Sequence, residues 1–334
     1  MIPLTVRRGL VLTPLLAALA GCNTVVMNPS GDIAKQQADL ITISVALMLL
    51  IIVPVMFLIV LFAWKYRKSN TEAKYEPDWD HSTKLELVIW GAPLLIIIAL
   101  GLVTWISTHK LDPYRPLERL DANTPISASA KPLTVQVVAM DWKWLFIYPE
   151  QGIATVNELV LPTNVPVRFK ITATTVMNAF YVPHLAGMIY AMPGMETELN
   201  AVQNKPVVSE GLSSNYSGAG FSDMHFAYRG VPQAEFDKWV ASTKSAGGAL
   251  GRNDYLALAK PSVKEPVRQY AAVDDGLYNA VLNHCVEPGS ICANKQMYED
   301  AKRASEMGSR EVKEGGRKVA QAEICTPTTQ TAKK

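Results

Sequence analysis

The chain has 334 residues, a formal net charge of +2, 49% apolar residues and only 19% charged ones. That length accommodates a membrane part plus one ordinary globular domain, and the composition leans toward membrane proteins. A near-neutral chain without a long basic run argues against a nucleic-acid surface, and the lack of a Walker-type glycine loop removes the usual marker of phosphate chemistry.

The first segment reads MIPLTVRRGLVLTPLLAALAGC. Arg7 and Arg8 form a positive n-region, and residues 9–19 form an apolar stretch too short to span a bilayer. Leu19-Ala20-Gly21-Cys22 resembles the bacterial lipobox, in which the cysteine is alkylated with diacylglycerol and becomes the new N-terminus. An ordinary signal peptide with an incidental cysteine is the alternative. The residues around the arginine pair do not match a twin-arginine signal.

Two uncharged runs follow a short outer segment, residues 22–39. Residues 40–64 give about 37 Å of helix at 1.5 Å per residue, enough for a hydrocarbon core of about 30 Å with some tilt. Residues 87–108 form the second run and contain Gly91, Pro93 and Gly101, which spanning helices tolerate. Trp64, Trp90 and Trp105 sit near the ends, where interfacial anchors belong. The connection between the runs carries Lys65, Arg67, Lys68, Lys74 and Lys84, against Lys35 alone in residues 22–39. The charge bias predicts an inner-membrane hairpin (40–109) with its tip in the cytoplasm and with the N-terminus and the C-terminal domain periplasmic. A lipobox requires the same topology.

A Pro-rich polar linker (110–130) leads to short strands. Leu133, Val135, Val137 and Ala139 alternate with Thr134, Gln136 and Val138, and Val167, Phe169 and Ile171 alternate with Arg168, Lys170 and Thr172. Period-two alternation with turns at Pro149-Glu150-Gln151-Gly152 and Pro162-Thr163-Asn164 predicts a β-sandwich over 131–230. A helical extension (231–292) follows. One helix opens at Pro232 and Gln233 with the stripe Phe236, Trp239 and Val240, and a short one runs from Asp275 to His284. Residues 293–334 read as a polar tail, mobile or loosely helical. Of the four cysteines, Cys285, Cys292 and Cys325 fall in an oxidising compartment on this topology. One disulfide plus one thiol is the simple reading, Cys285 and Cys292 are close enough for a short loop, and the sequence leaves the pairing open.

Three segments carry a family resemblance. They are Met140 through Gly152 (MDWKWLFIYPEQG), Ile189 through Met195 (IYAMPGM) and Gly211 through Met224 (GLSSNYSGAGFSDM). They resemble subunit II of the heme–copper oxidases in its bo-type, quinol-oxidising form, over about residues 19–285. The resemblance implies a two-helix transmembrane hairpin followed by a cupredoxin-like β-sandwich with C-terminal helices. It implies a subunit of a proton-pumping quinol:oxygen oxidoreductase, with ubiquinol as substrate of the complex and heme and copper in subunit I. Subunit I, subunit III, a small subunit IV and membrane lipid are the partners implied. Cytochrome c oxidases of this family hold two coppers in the external domain, on the pattern G-x-C-x-E-x-C-x-x-x-H-x-x-M plus an earlier histidine. Here Ser213, Asn215, Ser217, Phe221 and Met224 occupy the pattern and Asn178 falls at the earlier histidine, so only Met224 remains as a side-chain ligand. Copper in such centres needs soft thiolates and imidazoles, so the expectation is a domain without metal.

The resemblance also implies a proton-entry role for Glu86, at the cytoplasmic start of the second span; the plain alternative is a solvated carboxylate favoured by the helix dipole. Trp142 and Trp144 read as sandwich core or subunit contact. Met188, Met192, Met195 and Met224 read as adaptable packing groups rather than a Cu(I) site. His184, His225 and His284 show no mutual ligand spacing, and no nucleophile-elbow motif is present. A cytochrome c oxidase subunit with a rebuilt copper site and a free-standing lipoprotein module are the competing functions.

Overall fold

The structure is a computed structural model that describes residues 24–74, 76–127 and 130–314. Cys22 and Cys325, and with them the signal-peptide and lipidation readings, lie outside the described residues.

Two long helices come first, α1 (Asp32–Lys65) and α2 (Thr83–Lys110). Each is long and apolar enough to cross a membrane. Both overrun their uncharged runs, α1 by about two turns before residue 40. The overrun exists because that end of α1 is fastened to the domain that follows. The Ser30 and Gly31 N–H groups donate to the His184 carbonyl at 3.0 and 2.8 Å. The Asp32 carboxylate, favoured by the helix N-terminus, is buried and accepts from Arg119 at 3.0 and 3.2 Å. The far end of α2 is fastened too: Asn200 donates its backbone N–H and its Nδ2 to the Pro113 carbonyl at 3.0 and 3.1 Å. The start of α1 and the end of α2 therefore share one side, and the basic connection lies at the other.

Ten strands build the sandwich: β1 (Leu133–Met140), β2 (Lys143–Tyr148), β3 (Ile153–Val156), β4 (Glu158–Pro162), β5 (Pro166–Ala173), β6 (Asn178–Tyr181), β7 (Ile189–Ala191), β8 (Thr197–Val202), β9 (Val207–Ser213) and β10 (His225–Val231). The 149–152 turn joins β2 to β3, with Gly152 at φ +68° and its N–H on the Tyr148 carbonyl at 2.8 Å. The extension supplies α3 (Gln233–Ser245), β11 (Ala249–Leu250), α4 (Arg252–Leu258), β12 (Arg268–Tyr270), β13 (Ala272–Val273), α5 (Leu277–Leu282) and α6 (Ala293–Glu314). One sheet runs β12-β3-β2-β1-β5-β8 and faces a second of order β4-β10-β9-β6-β7. The facing sides enclose an aromatic core in which Phe180 and Phe226 stack at 5.6 Å and Trp144 meets both edge-on.

Several expectations need correction. The extension is not purely helical, since β12 pairs with β3 and lengthens the larger sheet. Its helices also cover that sheet's outer face, where Val138, Met140, Leu145 and Ile147 meet Leu250, Tyr255, Leu258, Tyr278 and Val281. This second core explains why β2 is buried at all six positions and why Val138 breaks the alternation of β1. The expected 275–284 helix is shorter, Leu277–Leu282, because Gly276 before it sits at φ +79°. The tail begins as the regular helix α6. One expectation needs no correction: Cys285 and Cys292, the pair close enough for a short loop, are disulfide-bonded with Cα atoms 4.7 Å apart.

Lys143 sits at 1% exposure in an otherwise apolar strand. Its Nζ donates to the carbonyls of Leu258 and Lys260 at 2.9 and 2.8 Å, so a cation from the sandwich meets the negative end of α4. Burial pulls the ammonium below the usual lysine range, and the nearby Glu265 carboxylate opposes that shift. Beside it, Asn157 accepts the Trp144 N–H and donates to the Glu265 carbonyl, both at 2.8 Å. Strand, loop and extension are thus stitched at one seam.

Candidate functional site

The loop 213–224 joins β9 to β10 at one end of the sandwich, beside the start of β6. The structure brings Asn178, Ser213 and Asn215 together. The Ser213 hydroxyl lies 3.2 Å from Asn178 Oδ1 and 3.2 Å from the Asn215 carbonyl, and it receives the Ala179 N–H at 3.4 Å. Asn178 Nδ2 donates to the Val176 carbonyl at 3.2 Å, and Asn215 Nδ2 to the Met177 carbonyl at 3.1 Å. Ser217 and Met224 form a second pair, the hydroxyl 3.9 Å from the thioether sulfur. The Ser213 N–H donates to the Met224 carbonyl at 3.2 Å and ties the two groups to one another. Phe221 lies at the rim, its ring edge-on to Tyr216 at 5.5 Å.

Trp142 holds this loop in place. Its indole Nε1 donates to the Ser217 carbonyl at 2.9 Å. A Cβ on Gly220 would lie 2.5 Å from the indole ring, and one on Gly218 would lie 3.1 Å from it. The G-A-G run is therefore what lets the backbone lie against an aromatic face. Trp144, two residues on, belongs to the core instead.

Asn178, Ser213 and Met224 are almost fully buried, and the polar groups at the first two are already engaged with the protein. A protonated hydroxyl and a neutral amide are hard, weak donors; the buried soft donor of the cluster is the Met224 thioether, and the exposed Met188 thioether meets the neighbouring Ser214 hydroxyl at 3.1 Å. His225 follows Met224 but its Nε2 meets the Ser222 carbonyl at 3.1 Å on the surface. Cys285 and Cys292 lie in the second core, on the outer face of the other sheet. Among the described residues no group of three or more His, Cys, Asp or Glu side chains is poised to hold a metal. At the positions singled out in the sequence the side chains are hydroxyls, amides, one phenyl ring and one thioether.

The other sequence candidates are dispersed. Glu86 stands in the first turn of α2, with His81 Nδ1 2.7 Å from its carboxylate. Met188 and Met195 are exposed whereas Met224 is buried. The Asp32–Arg119 pair and the role of Lys143 escape sequence reasoning. An acidic residue at a helix start is a signal for the first, but nothing local points to Arg119 as its partner.

A two-helix hairpin, a sandwich and a loop at this corner define the architecture of an oxidase subunit II, and two family models fall on it. "Cytochrome C oxidase subunit II, periplasmic domain" matches residues 149–231 and "COX Aromatic Rich Motif" matches residues 244–289. The chain is 49% identical to cytochrome bo(3) ubiquinol oxidase subunit 2 of Pseudomonas putida, over 79% of this chain and 82% of that protein. It is 48% identical to ubiquinol oxidase subunit 2 of Acetobacter aceti, over 79% and 83%. Among solved structures, the periplasmic domain of subunit II of cytochrome oxidase (CoxB) of Bradyrhizobium japonicum is 27% identical, with 36% of this chain and 99% of that one covered and a TM-score of 0.34. The chain belongs to the ubiquinol oxidase subunit 2 family.

Proposed function

We propose that this chain is the copper-less subunit II of a proton-pumping ubiquinol oxidase, in which electrons pass from quinol to the heme-bearing subunit I without crossing this domain. One observation carries the reading. The positions that would present thiolates and imidazoles present Ser213, Ser217, Asn178 and Phe221, and the hydroxyl and amide groups of the cluster bond to the protein's own backbone and to one another. The chain then serves as anchor and cap for a complex with subunits I and III and a small subunit IV, with heme and copper held in subunit I.

The proposed topology has the tip of the hairpin in the cytoplasm. Lys65, Arg67, Lys68, Lys74 and Lys84 support it by the positive-inside rule. Lipidation of Cys22 is compatible with the helix overrun. Asp32 stands about 12 Å beyond residue 40 along α1, and Cys22 lies only two residues before the described residues, which begin at Thr24 and run through a short 3-10 helix (Val25–Met27) to Gly31. The test is purification in mild detergent. The expected preparation contains heme-bearing subunits, oxidises ubiquinol, and yields this chain with the mass of a diacylglyceryl-modified product starting at Cys22. A chain that purifies alone would instead indicate a free-standing lipoprotein module, and stoichiometric copper in the external domain would indicate a rebuilt cytochrome c oxidase subunit.

Glu86 is proposed as a proton-collecting group at the cytoplasmic surface. Its support is a start-of-helix carboxylate in contact with His81 and close in sequence to Asp78 and Asp80. Glu86→Gln is expected to slow proton uptake by about tenfold, less than the roughly 10²–10⁴-fold of a group that transfers a proton in a transition state, while leaving the KM for quinol unchanged. Unaltered proton uptake in a fully assembled variant would assign Glu86 to helix stability only.

A further inference from the structure

A cavity of about 290 Å³ opens between the outer end of α1, the end of α2 with the linker after it, and β8. Its placement in a membrane rests on the proposed topology. At 1.5 Å per residue, Gln36 and Gln37 stand about 5–6 Å beyond residue 40, and Lys110 about 3 Å beyond residue 108. A bilayer of about 40–45 Å with a hydrocarbon core of about 30 Å leaves a polar layer of about 5–7 Å on each side. The inner side of the cavity, at Gln36, Gln37 and Lys110, is therefore at headgroup height, and its outer side at Asp32 lies beyond it.

Its charges balance in an informative way. Asp32, Lys110, Asp112, Arg115, Glu118 and Arg119 line it. Four of these cancel as the pairs Asp32–Arg119 and Arg115–Glu118. Asp112 has no ion pair among the described residues and accepts only the Tyr114 N–H, at 3.0 Å. Lys110 has neither an ion pair nor a side-chain hydrogen bond among the described residues, and its ammonium is left without a counter-ion. One spare cation and one spare anion in a site of zero net charge suit a ligand that carries both a phosphate and an ammonium, and suit a purely anionic one less well. The volume lies at the bottom of the range of small-molecule sites, about 300–1,000 Å³, so a headgroup fits and acyl chains must lie outside, along the exposed apolar helices.

We propose that this cavity binds the phosphoethanolamine headgroup of an outer-leaflet phospholipid, with the phosphate at Lys110 and the ammonium at Asp112. The test uses the intact complex in nanodiscs of phosphatidylethanolamine, phosphatidylglycerol and phosphatidylcholine in equal parts, followed by mild extraction and mass spectrometry of the lipid retained. Wild type is expected to retain phosphatidylethanolamine preferentially, and Lys110→Gln to lose about tenfold in retention, the effect of one charge-assisted contact. Asp112→Asn is expected to abolish the preference for phosphatidylethanolamine over phosphatidylglycerol. Equal retention by wild type and Lys110→Gln overturns the site, and a wild-type preference for phosphatidylglycerol overturns the headgroup assignment. Displacement by millimolar glycerophosphoethanolamine would reveal a site for soluble phosphate esters and overturn the lipid source. If Lys110→Gln inserts, assembles and oxidises quinol normally with unchanged lipid, this inference alone fails; a wild-type chain that does not insert as a hairpin fails the proposed topology instead.

Discussion

Combining Ser213→Cys, Ser217→Cys, Asn178→His and Phe221→His will give a chain that binds two copper ions and shows a purple, mixed-valence absorption, whereas the parent chain will contain no stoichiometric copper. The physical reason is the separation of scaffold from donors in this loop. Its path is fixed by Trp142 on the Ser217 carbonyl and on Gly218 and Gly220, and by the backbone bonds Ser213 to Met224 and Ser214 to Ala179. None of these requires the four side chains to be changed. Thiolates and imidazoles then restore the soft donors that copper demands, with the Met224 thioether already in place. The apo variant is expected to be less stable by about 1–2 kcal/mol, because the Ser213–Asn178 bond is lost. Copper should recover that loss and raise the melting temperature with the logarithm of its free concentration above the dissociation constant. Metal analysis, the visible spectrum and a copper-dependent melt check the prediction. A variant that melts like the parent yet stays colourless at saturating copper would mean the loop has drifted from a copper-binding shape. Stoichiometric copper in the parent would remove the ground for a quinol-only route.

Lys143→Met will loosen the extension from the sandwich and lower stability by about 2–3 kcal/mol. The substitution keeps the length and apolar stem of the side chain but removes two charge-assisted bonds, leaving the buried Leu258 carbonyl and the partly exposed Lys260 carbonyl without that donor. The gain from no longer burying an ammonium offsets part of the cost. Because Lys143 faces the end of α4, the damage should concentrate in the layer formed by α4 and α5 over the outer face of β1 and β2. Limited proteolysis of the detergent-solubilised chain is expected to cut first within residues 246–268, with the transmembrane hairpin intact, and thermal unfolding should begin at lower temperature. The same protease pattern for parent and variant would show that the apolar second core holds the extension without help from Lys143.

Much of this architecture is legible in one dimension. An uncharged stretch is long enough to span a bilayer or it is not, and the runs at 40–64 and 87–108 state the hairpin without reference to any contact. The alternation in 133–139 and 167–171 and the turn at 149–152 mark strands for the same reason, since a local period reports which side chains face an apolar surface. The hydroxyls at 213 and 217, which underlie the proposed copper-less reading, are likewise a property of single positions. What the sequence alone did not reveal depends on which distant segments meet. The extension adds β12 to the sheet edge and lays α4 and α5 over its outer face, so β2 is buried on both faces and Lys143 inside it becomes a helix-end staple. Asp32 and Arg119 pair across 87 residues. Local periodicity carries no information on such pairings. They are set when buried polar and charged groups, costly to leave unpaired, find the partners that the packed sheets and helices bring to them.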